Sequence, residues 1–223
     1  MAAPPATRAA LAALIDHTIL RPEATRDEVL AAADEAAELG CASVCVAPVH
    51  LPLGDRGLAV CTVIGFPTGA HSTASKAAEA ELAAGAGASQ LDVVVHLGSL
   101  RARAWAAVTA DLASVRAVVP PPLVVKVILE SALLTEDELV RGCRCAEEAG
   151  CDFVKTSTGF SPAGGATLAA VRTMHATVDG RLGLKASGGI RTTEQALAML
   201  EAGATRLGAS ATRAILAGLG GDR

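Results

Sequence analysis

The chain has 223 residues, 51% of them hydrophobic, with a formal charge of −4 at pH 7. That length suits one large domain, and the acidic balance leaves no basic face for nucleic acid. Aromatic residues make up only 2% and tyrosine is absent, so the core is expected to be filled by aliphatic layers.

The first strand candidate is Leu14–Thr18. After it a cassette recurs, in which a helix-like run ends in glycine plus a small residue and a short β-type run follows. It appears at Glu38-Leu-Gly40-Cys41 before Ser43–Val46. Leu58–Ile64 is a further strand candidate, and Ser72–Ala84 a helix that runs into Gly87-Ala88 before Gln90–Val95. Helix Ala104–Val118 precedes strand Leu123–Leu129. Helix Thr135–Glu148 opens on Thr135 and Glu138, which read as a capping box, and ends in Gly150-Cys151 before Asp152–Lys155. Helix Ala166–Ala176, strand Leu182–Ala186, helix Thr192–Leu200 and the Gly203-Ala204 cassette before Thr205–Gly208 complete the series. Glycine ends such helices in the left-handed conformation, and the small residue lets the strand enter the sheet closely.

The Val/Ile/Leu runs are nearly continuous, as in parallel strands buried on both faces. About eight β/α units in roughly 210 residues fit a (β/α)8 TIM barrel, with a doubly wound open sheet as the alternative. A single barrel domain is expected over 8–219, with 1–7 and 220–223 as frayed ends.

Only four lysines occur, Lys76, Lys126, Lys155 and Lys185, against fifteen arginines. Lys126, Lys155 and Lys185 sit in strand-like segments. Arginine does not shed its proton near neutral pH, whereas a buried lysine or one beside another cation does so readily. The pattern points to lysines kept for amine chemistry; the competing reading is buried lysines paired with carboxylates. Lys76, in a Ser/Thr/Ala/Glu helix, is expected to be solvated. Lys126 is expected to be structural, tuning the other two lysines or pairing with a carboxylate such as Glu130.

A parallel barrel builds its active site at the C-terminal strand ends. Asp92, Lys126, Lys155 and Lys185 fall in four consecutive strand candidates and converge if the inward alternation agrees. Gly188-Gly189-Ile190-Arg191 and Gly208-Ala209-Ser210 follow the last two strands, where barrels often bind phosphate on backbone N–H groups. Thr156-Ser157-Thr158-Gly159 adds hydroxyl and N–H donors.

The six cysteines form no C-x-x-C, and the five histidines are scattered without ligand spacing, which argues against zinc. The thiols read as reduced small hydrophobes in a cytoplasmic protein, Cys45 among them as a packing residue. No charged segment followed by a long apolar run marks a signal peptide, and the uncharged stretches are broken by Gly, Pro, Ser, Thr and His, so none reads as a membrane span.

The motifs Ile15-Asp16-His17-Thr18-Ile19-Leu20, Gly65-Phe66-Pro67-Thr68-Gly69, Leu91-Asp92, Lys126-Val-Ile-Leu-Glu130, Phe153-Val-Lys155-Thr-Ser-Thr-Gly159-Phe160, Lys185-Ala-Ser-Gly-Gly-Ile-Arg191 and Gly208-Ala-Ser210 run in order over nearly the whole chain. Together they resemble the deoxyribose-phosphate aldolase family. The resemblance implies a class I aldolase on a TIM barrel, with no metal and no cofactor. The implied reaction interconverts 2-deoxy-D-ribose 5-phosphate with D-glyceraldehyde 3-phosphate and acetaldehyde.

By matching position, Lys155 is the implied Schiff-base lysine, Lys185 the second essential lysine and Asp92 the proton-transfer carboxylate. Thr158, Gly159, Gly188, Gly189 and Ser210 match phosphate-binding loops, Asp16 and Thr18 a first-strand motif that lines the site, and Phe66 a wall of the pocket. The sequence departs from the family pattern at Ala47, His96 and Ala211 and lacks a C-terminal tyrosine. The partner expected is a small phosphosugar, with a homodimer or higher homo-oligomer as the assembly. The competing readings are another phosphate-binding class I aldolase and a non-catalytic barrel that binds a phosphorylated ligand.

Overall fold

In the computed structural model, which describes residues 5–219, eight parallel strands pair in chain order and the last pairs with the first. They are β1 (Ile15–Ile19), β2 (Ser43–Val46), β3 (Ala59–Ile64), β4 (Gln90–Val94), β5 (Val124–Ile128), β6 (Phe153–Lys155), β7 (Gly183–Ser187) and β8 (Arg206–Ala209). The expected barrel is present, and closure excludes the open sheet. Helix α1 (Arg8–Ala12) precedes β1, and α2 (Arg26–Glu38) follows it. Then come α3 (Thr73–Gly85) after β3, and α4 (Leu97–Arg101) with α5 (Trp105–Val118) after β4. Helices α6 (Glu136–Glu148), α7 (Leu168–Val178), α8 (Thr193–Glu201) and α9 (Thr212–Ala217) follow β5 to β8 in turn.

The β2–β3 connection carries only a short 3-10 turn, Pro48–His50. Pro48, Pro52, Gly54 and Gly57 fall within it, and these residues oppose a helix. The expected capping box at Thr135 and Glu138 forms, and the same reciprocal bonds occur at Thr25 with Glu28 and Thr192 with Gln195. Thr7, placed by sequence in a frayed end, accepts a hydrogen bond from Ala10 N–H and caps α1. Residues 1–4 and 220–223, the rest of the expected frayed ends, lie outside the described residues.

Strand alternation divides the interior in two. Val93, Val125, Val127, Val154, Leu184 and Leu207 face outward into an aliphatic layer with Leu112, Leu139, Met174 and Ile215 from the helices. Full burial of one such side chain contributes about 1.5–3 kcal/mol, and this layer offsets the cost of what the lumen holds. The lumen is not purely aliphatic, contrary to the expectation from composition: Val63 and Ile128 share it with polar groups. Asp16, Cys45, Cys61, Asp92, Lys126, Lys155 and Lys185 alternate inward and are all buried. The strand register sets Cys45 beside Cys61, Asp92 beside Lys126 and Lys155 beside Lys185.

Lys76 is a correction to the sequence reading. It is fully buried, not solvated, and its Nζ donates to Val94 O and to Asp111 Oδ2, each at 2.8 Å. It thereby ties α3 to α5 and to the end of β4. Gly65 makes room for it, since a Cβ there would lie 3.0 Å from Lys76 Cε. The partner carboxylate is 35 positions away in the chain, so the local sequence carries no sign of the pair.

Candidate active site

At the C-terminal end of the lumen, Asp92 is the shared acceptor of three ammoniums. Its Oδ2 lies 2.6 Å from Lys155 Nζ and 2.7 Å from Lys185 Nζ, and its Oδ1 lies 2.9 Å from Lys126 Nζ. Asp16 is the second anion, 2.5 Å from Lys185, 3.7 Å from Lys126 and 3.1 Å from the guanidinium of Arg206. Four cationic groups thus meet two carboxylates. The expected partner of Lys126, Glu130, is elsewhere: its carboxylate accepts the N–H and the hydroxyl of Thr158. Inward alternation sends Lys126 into the lumen, whereas Glu130 sits past the strand end with φ +55° and turns toward the β6–α7 loop.

Electrostatics follow from this geometry. Burial pushes the Asp16 carboxyl up, but Lys185 and Lys126 outweigh it and hold the group at about 2. Burial opposes ionisation of Asp92 as well, and Lys126, Lys155 and Lys185 together hold it well below the usual carboxylate range. Burial disfavours the Lys185 ammonium, yet Asp16 and Asp92 overcome this and raise its pKa well above the ordinary value. Lys126 is raised in the same way, with Asp92 the main opponent of burial. Lys185 and Lys126 are therefore fixed cations.

Above the cluster opens a cavity of about 640 Å³. Of the four lysines, Lys155 lines it, at the end nearest Asp92. Thr18, Thr158, Gly159, Gly188, Gly189 and Ser210 also line it, as the sequence suggested. Gly159, Gly188 and Gly189 all have positive φ, between +83° and +91°. Gly188 is further required by close packing, since a Cβ there would come 2.9 Å from Gly165 Cα. Gly189 has no heavy atom within 4 Å of its Cβ direction, leaving room for a ligand against its backbone. Ala166 N–H donates to Ser187 O and Gly188 O, which laces the β6–α7 and β7–α8 loops together.

Four expected residues sit differently from the simplest reading. Asp16 lies beneath the cavity, bound to the lysines, and does not line it. The Thr158 hydroxyl is committed to Glu130 as a donor and to Phe160 N–H as an acceptor, so its contribution is to hold the loop. Phe66 lies outside the cavity lining and meets Phe160 edge to face at 5.2 Å between ring centroids; Phe160 is the lining ring. Thr18 turns its hydroxyl back to Asp16 O.

Sequence reasoning gave no role to Arg191, although it stands in the Gly-Gly-Ile-Arg motif; it lines the cavity beside Gly189 as a cation. Nor did it find the association of Cys45, Cys61 and Asp92, whose ligand-type atoms lie within 4.8 Å of one another. Only strand register reveals that grouping. Among the departures from the family pattern, His96 caps α4 by accepting from Ser99 N–H, and Ala211 stands at the start of α9 without a side-chain cap.

Comparison with known proteins agrees with this arrangement. Residues 10–218 match the family model described as "DeoC/LacD family aldolase". The chain is 55% identical over 214 residues to a deoxyribose-phosphate aldolase of Kocuria rhizophila, covering 96% of this chain and 98% of that one. It is 55% identical over 212 residues to the protein of the same name from Nocardia farcinica, covering 95% and 96%. Among solved structures, the tetrameric deoxyribose phosphate aldolase of Aeropyrum pernix superposes with a TM-score of 0.88 at 33% identity, over 95% of this chain and 91% of that one. The aldolase QR15 superposes with a TM-score of 0.88 at 38% identity, over 93% and 95%. With a family match that spans the barrel from before β1 to past α9, the chain belongs to the DeoC/LacD family of aldolases.

Proposed function

We propose that this chain is a class I aldolase that reversibly cleaves 2-deoxy-D-ribose 5-phosphate to D-glyceraldehyde 3-phosphate and acetaldehyde. The observation that carries the reading is Lys155, the lysine at the cavity, with its Nζ 2.6 Å from Asp92 Oδ2 and two fixed cations behind it. The curated relatives named deoxyribose-phosphate aldolase supply the substrate.

Imine formation needs a neutral amine. Lys155 is the cluster's amine with a path to the cavity. Asp92 stays compensated by Lys126 and Lys185 when Lys155 enters the imine. Lys155 Nζ then adds to the C1 aldehyde, and loss of water gives the protonated imine. The imine is the electron sink. The C3 hydroxyl gives up its proton through water to the Asp92 hydrogen-bond system, the C2–C3 bond breaks, and its electron pair forms the enamine. Glyceraldehyde 3-phosphate leaves, C2 is protonated, and water hydrolyses the imine to release acetaldehyde and the free lysine.

The phosphate fits the far end of the cavity, on the N–H groups of Gly159, Gly188 and Gly189 and the hydroxyl of Ser210, with Arg191 adding charge. Anchoring there contributes orientation at the reacting carbon. One catalytic domain over 8–219 is part of the reading, as are a homo-oligomer, like the tetramer described for the Aeropyrum pernix protein, and a cytoplasmic location. Exposed Val49 and Leu82 suit an oligomer, and no helix among the described residues is long and apolar enough to cross a membrane.

The test is borohydride reduction in the presence of the sugar phosphate, followed by peptide mass mapping. A substrate-derived adduct on Lys155, together with acetaldehyde release, is the expected outcome. An unmodified Lys155 under conditions that trap a known imine enzyme overturns the assignment.

A further inference from the structure

Cys45 and Cys61 are direct neighbours on the parallel strands β2 and β3, and both side chains point into the lumen beneath Asp92. Adjacent strands lie about 4.8 Å apart, inside the Cα separation of roughly 4.4–6.8 Å that a disulfide spans. The two sulfurs lie within 4.8 Å of each other and of the Asp92 carboxylate. Cys61 Sγ is 3.2 Å from Asp92 Oδ1 and 3.3 Å from Lys126 Nζ. The other described cysteines lack such a setting; Cys143 and Cys145, for example, are two apart on α6 and do not face each other.

We propose that Cys45 and Cys61 are an oxidative modification site, which takes a two-electron oxidant of the hydroperoxide class to an intramolecular disulfide and thereby disables the catalytic cluster. Charge favours this over metal capture. Lys126 stands 3.3 Å from Cys61 Sγ, and the excess of cations over carboxylates in the cluster opposes a bound cation. The adjacent Cys61 thiol holds the Cys45 thiol below its usual range, with Lys185 and Lys155 acting in the same direction against burial. Burial and the adjacent Cys45 push Cys61 well up. Cys45, whose register neighbour Thr18 lines the cavity, is the thiol assigned to meet the oxidant, and Cys61 is the resolving thiol. Both thiols are fully buried, but Thr18, the register neighbour of Cys45, and Leu20, packed on the pair, both line the cavity, so one layer of side chains separates the pair from the space a small peroxide enters.

The chemistry balances. Cys45 thiolate attacks one oxygen of hydrogen peroxide, the O–O bond breaks, and a sulfenic acid forms with release of hydroxide, which is protonated to water. Cys61 sulfur then displaces the sulfenic oxygen as a second water and closes the S–S bond. The thiols lose two electrons and two protons, and the peroxide is reduced to two waters. The bridge removes the contacts of Cys61 with Asp92 and Lys126 and redirects the carboxylate that Lys155 depends on.

The experiment is treatment of the whole reduced protein with hydrogen peroxide, alkylation of the remaining thiols and peptide mapping, with activity followed in parallel. A bridge joining the Cys45 and Cys61 peptides, at least tenfold loss of activity, and recovery with dithiothreitol are expected. Cys45→Ala and Cys61→Ala, each compared with its own untreated activity, are expected to lose the reversible component. Should either variant fail to fold, the bridge in the unsubstituted protein decides. Activity loss with both thiols still open to alkylation overturns the proposal, as does a bridge that leaves activity intact. The bridge is read by mass, so its absence is distinguishable from a failure of the aldolase reading.

Discussion

Lys155 Nζ and Asp92 Oδ2 are 2.6 Å apart across the barrel lumen, and the same oxygen accepts from Lys185 at 2.7 Å. One carboxylate oxygen therefore couples the lysine that meets the cavity to a lysine that does not. Replacing Lys155 with methionine keeps the stem and removes the amine, while Asp92 retains two partners. The variant is expected to fold, to lose cleavage by roughly a thousandfold or more, and to give no borohydride adduct. An assay of acetaldehyde release with a folding check by circular dichroism decides it.

Asp92→Asn acts on charge more than on shape. Three ammoniums lose their common buried counter-ion, and breaking such an arrangement typically costs about 3–5 kcal/mol. Activity is expected to fall by about 10²–10⁴-fold with the loss of proton relay. Urea unfolding and turnover, measured on the same preparation, check both arms.

Chelation separates this site from a metal-assisted one. The cleavage steps use the amine and carboxylate alone, so incubation with EDTA followed by desalting is expected to leave turnover unchanged. A loss restored by a divalent cation would place an ion in the reaction and refute those steps.

Glu130 has a left-handed backbone, φ +55°, and a buried carboxylate that accepts both the N–H and the hydroxyl of Thr158. A non-glycine residue in that conformation costs of order 1 kcal/mol and persists where the surroundings demand it. Here it fixes the loop that carries Gly159 and Phe160. Glu130→Gln is expected to raise KM for deoxyribose 5-phosphate by about tenfold, since one charge-assisted bond is worth about 1.5–3 kcal/mol and part of it is retained. Unphosphorylated deoxyribose, which does not use the phosphate loops, is expected to show a much smaller change.

The strands and the lysine–aspartate group were readable from the chain because both signals are local. A Val/Ile/Leu run marks a doubly buried strand, and Asp92, Lys126, Lys155 and Lys185 interrupt such runs visibly. What escaped depends on register or on distant partners. Lys76 lies in a segment that looks solvated, and only the fold brings Asp111 to it. Glu130 is a nearby carboxylate in the chain, but inward alternation gives Lys126 to Asp92. Cys45 and Cys61 stand sixteen apart with no motif between them, yet parallel pairing sets them side by side. The helix-free β2–β3 link was written in Pro48, Pro52, Gly54 and Gly57, but the barrel count passed over it.

Stability in acid follows from the same carboxylates. Asp16 ionises near 2 in the folded chain against 3.8 as the ordinary value. A depressed folded value means that its contribution is complete above the unfolded pKa and disappears as pH falls through the folded one. Asp92 moves in the same direction. The Asp16 share is on the order of 2 kcal/mol, lost between about pH 5 and pH 2. Urea midpoints at pH 6 and pH 3 are expected to differ more in the parent than in Asp16→Asn; equal slopes would remove Asp16 from the account.

Lys76 tests whether a buried pair far from the cavity governs the site. Its ammonium joins Asp111 of α5 to the carbonyl of Val94, which directly follows Val93 and Asp92 on β4. Lys76→Met strands Asp111 without its cation in an almost fully buried position, which is expected to cost about 3–5 kcal/mol. The double change Lys76→Met with Asp111→Leu removes both charges. It is expected to recover most of that loss, because replacing a buried pair with apolar groups is often close to neutral. Recovery of turnover separates two roles. If Lys76 serves only packing, the double variant regains stability and kcat together. If its bond to Val94 O sets the height of Asp92 against Lys155, stability returns while kcat stays several-fold low. The geometry supports the second outcome, since β4 reaches the lumen within two residues of that carbonyl.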